Sequence, residues 1–242
     1  MENTLYIALS RQSAIRREMS VIANNMANMN TTAYKGEKMM FVDHLVKSKG
    51  GERLLPQKLA YVRDVAQYQN FKEGSINQTH NDLDLALHGD GFFVLETPQG
   101  TRYTRNGHFQ LNEEGQLITS NGHPVLSDAG QPFFFTPNES QIDISRDGTV
   151  STSNGPIGKL DIVTFENKQR LQKEPNGHYV TSEEATPVES PHVIQGSLEG
   201  SNINPIIEMT KMIESQRAYT SIKSFIDKED QRMRKVADLI RR

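Results

Sequence analysis

The chain contains no cysteine, which excludes disulfide stapling, thiol nucleophiles and cysteine-ligated zinc. No stretch approaches the 18 or more apolar residues of a membrane-spanning helix. Only 35% of the 242 residues are apolar, fewer than one globule of that size usually carries, while 24% are charged. Phosphate-binding GxxxxGK[ST] and GxGxxG loops are missing, as is HExxH. The seven histidines are scattered, and none forms an i,i+4 helical pair. Met1-Glu2-Asn3-Thr4 lacks a basic leader segment, and the segment after it is amphipathic. Passage through the general secretory route is therefore not expected.

The net charge of −3 hides a division. Residues 1–50 carry seven Lys/Arg against four Asp/Glu, and residues 205–242 carry nine against six. The middle is left with eleven against twenty. The basic residues of the ends are interleaved with acids, and no aromatic residue interleaves with Arg232, Arg234, Lys235, Arg241 and Arg242, so nucleic-acid binding is not expected.

Both ends have helical periodicity. Leu5, Ala8, Gln12, Ile15, Met19, Ile22, Met26 and Met29 fall on alternating three- and four-residue steps. This predicts a helix over 3–29, ended by the turn formers Asn28, Asn30, Thr31 and Thr32. At the other end Met212, Tyr219, Ile226, Met233 and Ile240 recur every seven residues, with Ile222 and Val236 in the companion position. The spacing predicts a helix over 205–240, with Asn204 as N-cap and Pro205 at the first helical position. At 1.5 Å per residue it spans roughly 54 Å. That is too long for its stripe to be buried on one small β domain. The N-terminal helix is the nearest partner, and neighbouring molecules are expected to cover the rest.

The middle reads as strands. Residues 36–60 are expected to be a connector, Met39–Val46 within it being helix or strand, and 61–203 a β domain. Leu83, Leu85 and Leu87 alternate with Asp84 and Ala86, Phe92-Phe93-Val94-Leu95 looks buried, and turns recur every 8–12 residues, as in an all-β sandwich or barrel-like domain. Thr97–Thr101 closes one hairpin, and Asn106-Gly107 signals another. The fold class is α+β, with long terminal helices in a coiled-coil-like bundle and a central all-β domain.

One carboxylate cluster invites a catalytic or metal reading: Asp82, Asp84 and Asp90, with His80 and His88 nearby. The plainer reading has the leucines facing the core and the carboxylates facing water. No catalytic, cofactor-binding or metal residue is therefore assigned, and no cofactor is expected.

Four stretches resemble the bacterial flagellar rod and hook proteins. These are Ala23-Asn24-Asn25-Met26-Ala27-Asn28 through Thr32-Ala33-Tyr34-Lys35, Leu83–Phe93, Tyr103–Phe109, and Leu198–Met209 with Ser215-Gln216-Arg217-Ala218-Tyr219. Ala33 stands where that family usually has Gly, so a positive φ there would strain it. Length and the Leu198-Glu199-Gly200-Ser201-Asn202 start resemble the proximal-rod members most, with distal-rod members the alternative. A metal-dependent or carbohydrate-active β-domain protein is the other reading kept open. The resemblance implies a non-enzymatic subunit of the basal-body rod, exported by the flagellar type III apparatus without a cleavable signal. Its partners would be itself, neighbouring rod proteins and that apparatus, with no nucleic acid and no membrane insertion. Assembly is expected to use Leu5, Ile15, Met19, Ile22, Asn24, Asn25, Asn28 and Tyr34. From the C-terminal helix it would use Met212, Tyr219, Ile222, Ile226, Met233, Val236 and Ile240.

Overall fold

The computed structural model describes residues 2–47, 58–136 and 142–240. Helix α1 (Glu2–Ala27) opens the chain. Strands β1 (Glu37–Lys47), β2 (Lys58–Gln69), β3 (Ile76–Gln78), β4 (Leu85–His88), β5 (Phe92–Thr97), β6 (Gly100–Thr104), β7 (Phe109–Leu111) and β8 (Leu117–Thr119) come after it. Next are β9 (Ile142–Ile144), β10 (Thr149–Thr152), β11 (Gly155–Lys159), β12 (Ile162–Thr164), β13 (Gln172–Lys173) and β14 (Tyr179–Val180). The last strands are β15 (Thr186–Pro187), β16 (His192–Gln195) and β17 (Ser197–Glu199), and helix α2 (Pro205–Ile240) closes the chain. Among the described residues no helix is long and apolar enough to cross a membrane.

The chain divides into two compact units. The first joins Met1–Ala27, Glu37–Asn70 and Asn204–Arg242. The second joins Asn28–Gly36 to Phe71–Ile203. Residues 36–60, read from sequence as a connector, thus include the whole of β1 and the start of β2. Residues 61–69, expected in the β domain, belong to β2 of the first unit. Alternation reveals a strand but not its partner. Here β2 pairs antiparallel with β1, from Glu37↔Gln69 to Lys47↔Lys58, with a register shift between Met40 and Phe41.

In the first unit α1 and α2 run antiparallel, because Asn25 meets Glu208 and Glu18 meets Ser215. Asn204 caps α2, its Oδ1 accepting the amides of Ile206 at 3.1 Å and Ile207 at 3.3 Å. A cap of this kind stabilises a helix by about 1 kcal/mol.

In the second unit a six-stranded sheet has the order β13-β14-β6-β5-β12-β15. Its centre shows how period-2 sequence builds two faces. Phe93 and Leu95 enter one apolar cluster with Phe109, Leu117, Phe133 and Ile162. Phe92 and Val94 enter the other with Val163, Phe165, Leu171 and Tyr179. Each fully buried large side chain contributes about 1.5–3 kcal/mol. A three-stranded sheet, β11-β10-β9, adds Ile144 and Val150 to the first cluster.

The expected Asn106-Gly107 hairpin is not formed, since β7 pairs with β8 rather than with β6. A tight Asn-Gly hairpin turn needs positive φ at both residues, and neither Asn106 nor Gly107 has it. Gly107 instead presses against the Leu85 backbone, and its carbonyl accepts the Leu85 amide at 2.9 Å.

Candidate assembly site

The helix pair is built from the two heptad stripes. In α1, Ala8, Ile15 and Ile22 are buried, and Leu5, Met19 and Met26 are half-buried. In α2, Met212, Tyr219, Ile222 and Ile226 are half-buried, on the same stripe as the buried Glu208 and Ser215. The residues singled out by periodicity therefore lie largely along the seam within one chain. Met233 and Val236 are exposed, and the side chain of Ile240 lies outside the described residues. The antiparallel register places Glu2 level with about residue 231, so roughly nine residues of α2 extend past α1. Consistent with this, every residue from 231 to 239 is exposed.

The seam leaves a second apolar stripe outside. Ile206, Met209 and Ile213 are 75%, 52% and 52% exposed. Their i, i+3, i+7 spacing puts them on one side of α2, roughly opposite Glu208, Ser215 and Ile222. Tyr6 and Leu9 on α1 are exposed as well. Periodicity selected the seven-residue repeat and passed over this shorter stripe, although its spacing was legible.

Asn25 shows why that stretch needs an amide. Its Oδ1 accepts the Glu37 amide at 3.0 Å, and its Nδ2 donates to the Glu37 carbonyl at 2.8 Å and to Glu208 Oε2 at 3.2 Å. Only a side chain with two donors and an acceptor serves all three. A cleft of about 180 Å³ opens beside it, between α1, β1 and α2. Asn24 is exposed, and Asn28 is half-buried, its Oδ1 accepting from Thr31 Oγ1 just past the end of α1.

In the second unit Lys35, Arg105 and Glu199, each from one of the stretches that carry the family resemblance, come together, and Arg105 also reaches the Leu83–Phe93 stretch. Lys35 Nζ lies 2.5 Å from Oε1, and Arg105 Nε donates to Oε2 at 2.6 Å. The Gly74 amide donates to Oε1 at 2.9 Å, and the Ala33 amide to the Glu199 carbonyl at 2.7 Å. Lys35 also donates to the Lys72 carbonyl, and Arg105 to the carbonyls of Leu87, Gly89 and Gly91. All three charged side chains are at least 95% buried. Burial works against the Glu199 carboxylate, but Arg105, Lys35 and the donated hydrogen bonds outweigh it and hold its pKa below the ordinary carboxylate value. Burial lowers the Lys35 pKa, with Glu199 opposing.

Ala33 has φ 55, so the strain anticipated at this Ala-for-Gly position is present. Tyr34 is buried, and Lys173 Nζ sits 3.9 Å from its ring centroid.

The carboxylate cluster does not come together as a metal centre. Asp84 is buried rather than facing water, and its Oδ1 lies 2.6 Å from His108 Nδ1. The two residues also face each other in an isolated antiparallel bridge. Asp82 is exposed in a turn, and the exposed Asp90 pairs with Lys168. Among the described residues no group of three metal-ligating side chains is found.

Comparison with known proteins gives the same pattern of ends and middle. The model described as "Flagella basal body rod protein" matches residues 5–35. The "Flagellar hook protein FlgE/F/G D1 domain" matches 86–152, and the "Flagellar basal body rod FlgEFG protein C-terminal" matches 194–239. The flagellar basal-body rod protein FlgF of Caulobacter vibrioides is 38% identical over 94% of this chain and 93% of its own. FlgF of Mesorhizobium japonicum is 33% identical over 90% of each chain. FlgG of Buchnera aphidicola from Schizaphis graminum is 31% identical over 98% of this chain and 99% of its own. The chain therefore belongs to the flagellar basal-body rod proteins, a structural family and not an enzyme family.

Proposed function

We propose that the chain is a proximal-rod subunit of the FlgF type, whose terminal segments 1–35 and 204–242 are its assembly arms. In this reading the helices of successive copies and of neighbouring rod proteins pack into a coiled-coil-like wall around a hollow shaft. Export uses the flagellar type III apparatus, and the shaft lies in the basal body across the periplasm. The higher identity to the Caulobacter FlgF supports the proximal assignment. The FlgG likeness over nearly the whole chain keeps a distal-rod subunit as the second reading.

The observation that carries the proposal is the division of α2 into two apolar sides. One stripe, through Met212, Tyr219, Ile222 and Ile226, lies along the seam with α1. The other, Ile206, Met209 and Ile213, is left for another molecule. The assembly role read from sequence thus splits in two. The seam residues Ile15, Met19, Ile22 and Met212 shape the arm, and the outward stripe with the overhanging Met233 and Val236 makes the contacts between subunits.

The test is the double variant Ile206→Glu/Ile213→Glu, expressed in a strain lacking the wild-type chain. It should melt like wild type and fail to enter purified basal bodies. Met212→Asp should disturb the helix pair itself, lowering helicity. Normal incorporation of the double variant would refute the outward stripe. Labelling toward the hook end of the rod would favour the distal reading.

A further inference from the structure

We infer that the Lys35–Glu199–Arg105 triad is a clasp that opens as one piece, releasing residues 33–36, 72–75 and 199–202 of the second unit while both apolar clusters stay packed. The inference is independent of how the terminal helices assemble.

Segments 72–75 and 199–202 are held chiefly by polar contacts, while 33–36 also buries Ala33 and Tyr34. Residues 72–75 contain no buried side chain, and in 199–202 only Glu199 is buried. Neither apolar cluster includes a residue of the three segments. Bonds between them run beside the triad. Gly200 N donates to the Ser75 carbonyl at 2.7 Å, Asn202 N to the Tyr34 carbonyl at 3.2 Å, and Asn202 Nδ2 to the Lys72 carbonyl at 2.8 Å. Segments held in this way open at a lower free energy than strands buried on apolar faces.

The charge balance sets the direction of opening. One carboxylate serves two buried cations, and an uncompensated buried charge is strongly destabilising. Arg105 is fastened to the core side by the carbonyls of Leu87, Gly89 and Gly91, at both ends of the β4–β5 turn. Lys35 has one other bond, to the Lys72 carbonyl, which lies in a segment that opens with it. When the pairing fails, Lys35 and Glu199 move toward water and Arg105 stays. The other titratable groups nearby are Glu73, whose field favours the Lys35 cation, and His88, which is 2.9 Å from Glu73.

The test is residue-resolved hydrogen exchange on the full chain, comparing wild type with Glu199→Gln, which keeps shape and acceptor but removes the charge. Protection in 33–36, 72–75 and 199–202 should fall together by roughly 100-fold. Protection in β5, β8 and β12 should change less than about threefold. Lys35→Met added to Glu199→Gln removes one stranded cation and should recover at least about tenfold of the loss. Should Glu199→Gln not fold, wild type in low denaturant is decisive. The three segments must then share one denaturant dependence, shallower than that of β5. Loss spread evenly over the unit, loss in one segment alone, or exchange of the three only through global unfolding would overturn the clasp.

Discussion

Replacing Gly107 with alanine probes the contact that took the place of the expected hairpin. A Cβ there falls on the Leu85 carbonyl oxygen, with the Leu85 carbonyl carbon and Cα behind it. All three are backbone atoms of a strand whose side chain is 1% exposed, so no rotamer change relieves the overlap. Backbone displacement in a packed core costs about 1–3 kcal/mol. The Leu85 N–H to Gly107 carbonyl bond, now 2.9 Å, stretches with it, adding about 0.5–1.5 kcal/mol. The expected loss is therefore about 2–4 kcal/mol. At about 3–4 °C per kcal/mol for a unit of this size, melting should fall by roughly 6–16 °C. Differential scanning calorimetry reads this directly. Gly36→Ala is the control, because a Cβ there meets chiefly the end of the Ile203 side chain, which can turn away. Its cost should stay below about 1 kcal/mol. If Gly107→Ala melts within about 2 °C of wild type, or if the two variants shift equally, the steric reasoning is wrong.

Two individual side chains give further outcomes. Ala33→Gly removes a left-handed-region penalty of about 1–2 kcal/mol, offset by about 0.4–1 kcal/mol of added freedom in the unfolded chain. The variant should gain about 0.5–1 kcal/mol in chemical denaturation, and a loss would mean that the positive φ at this position is not strained. His178 is held below the ordinary histidine pKa by burial and then by His123, whose ring centroid is 5.3 Å away. The unfolded chain therefore binds more protons than the native one below about pH 6.5. The stability from the neutral imidazole is fully present above that pH and is lost as pH falls through the lower native pKa. Melting should decline as pH falls below about 6.5, and His178→Gln should flatten the decline. An identical decline in the variant would assign it to other groups.

The helices were legible because a seven-residue repeat records a seam, and Asn204-Pro205 records a start. The same repeat did not say whether the seam closes within one chain. Residues such as Met212 look alike whether they meet α1 or another subunit, and only burial separates them from Ile206 and Ile213. Strand β5 was legible as buried, and the partner of β2 was not, because alternation carries no information about pairing. Asp84 was misjudged because a charged residue between leucines normally faces water, and His108, 24 positions later, gives it a hydrogen-bond partner. Lys35, Arg105 and Glu199 each lay inside a stretch that resembled the family, yet nothing in their spacing announced that one carboxylate serves both cations.

The Lys35–Glu199 contact also has a place in time. Its two residues are separated by 164 positions. Closing so long a loop in an unfolded chain costs about 4–5 kcal/mol of entropy, against a contact that gains little until water has been excluded from it. Once the strands between have condensed, most of that cost has already been met and only local ordering remains. The ion pair is then a late event in folding and contributes little to the rate-limiting barrier. Variants that weaken it should accelerate unfolding while leaving the folding rate nearly unchanged. A polypeptide that has not yet supplied residue 199 has no counter-ion for Lys35, so the N-terminal junction of the second unit is fixed only after its C-terminal end arrives.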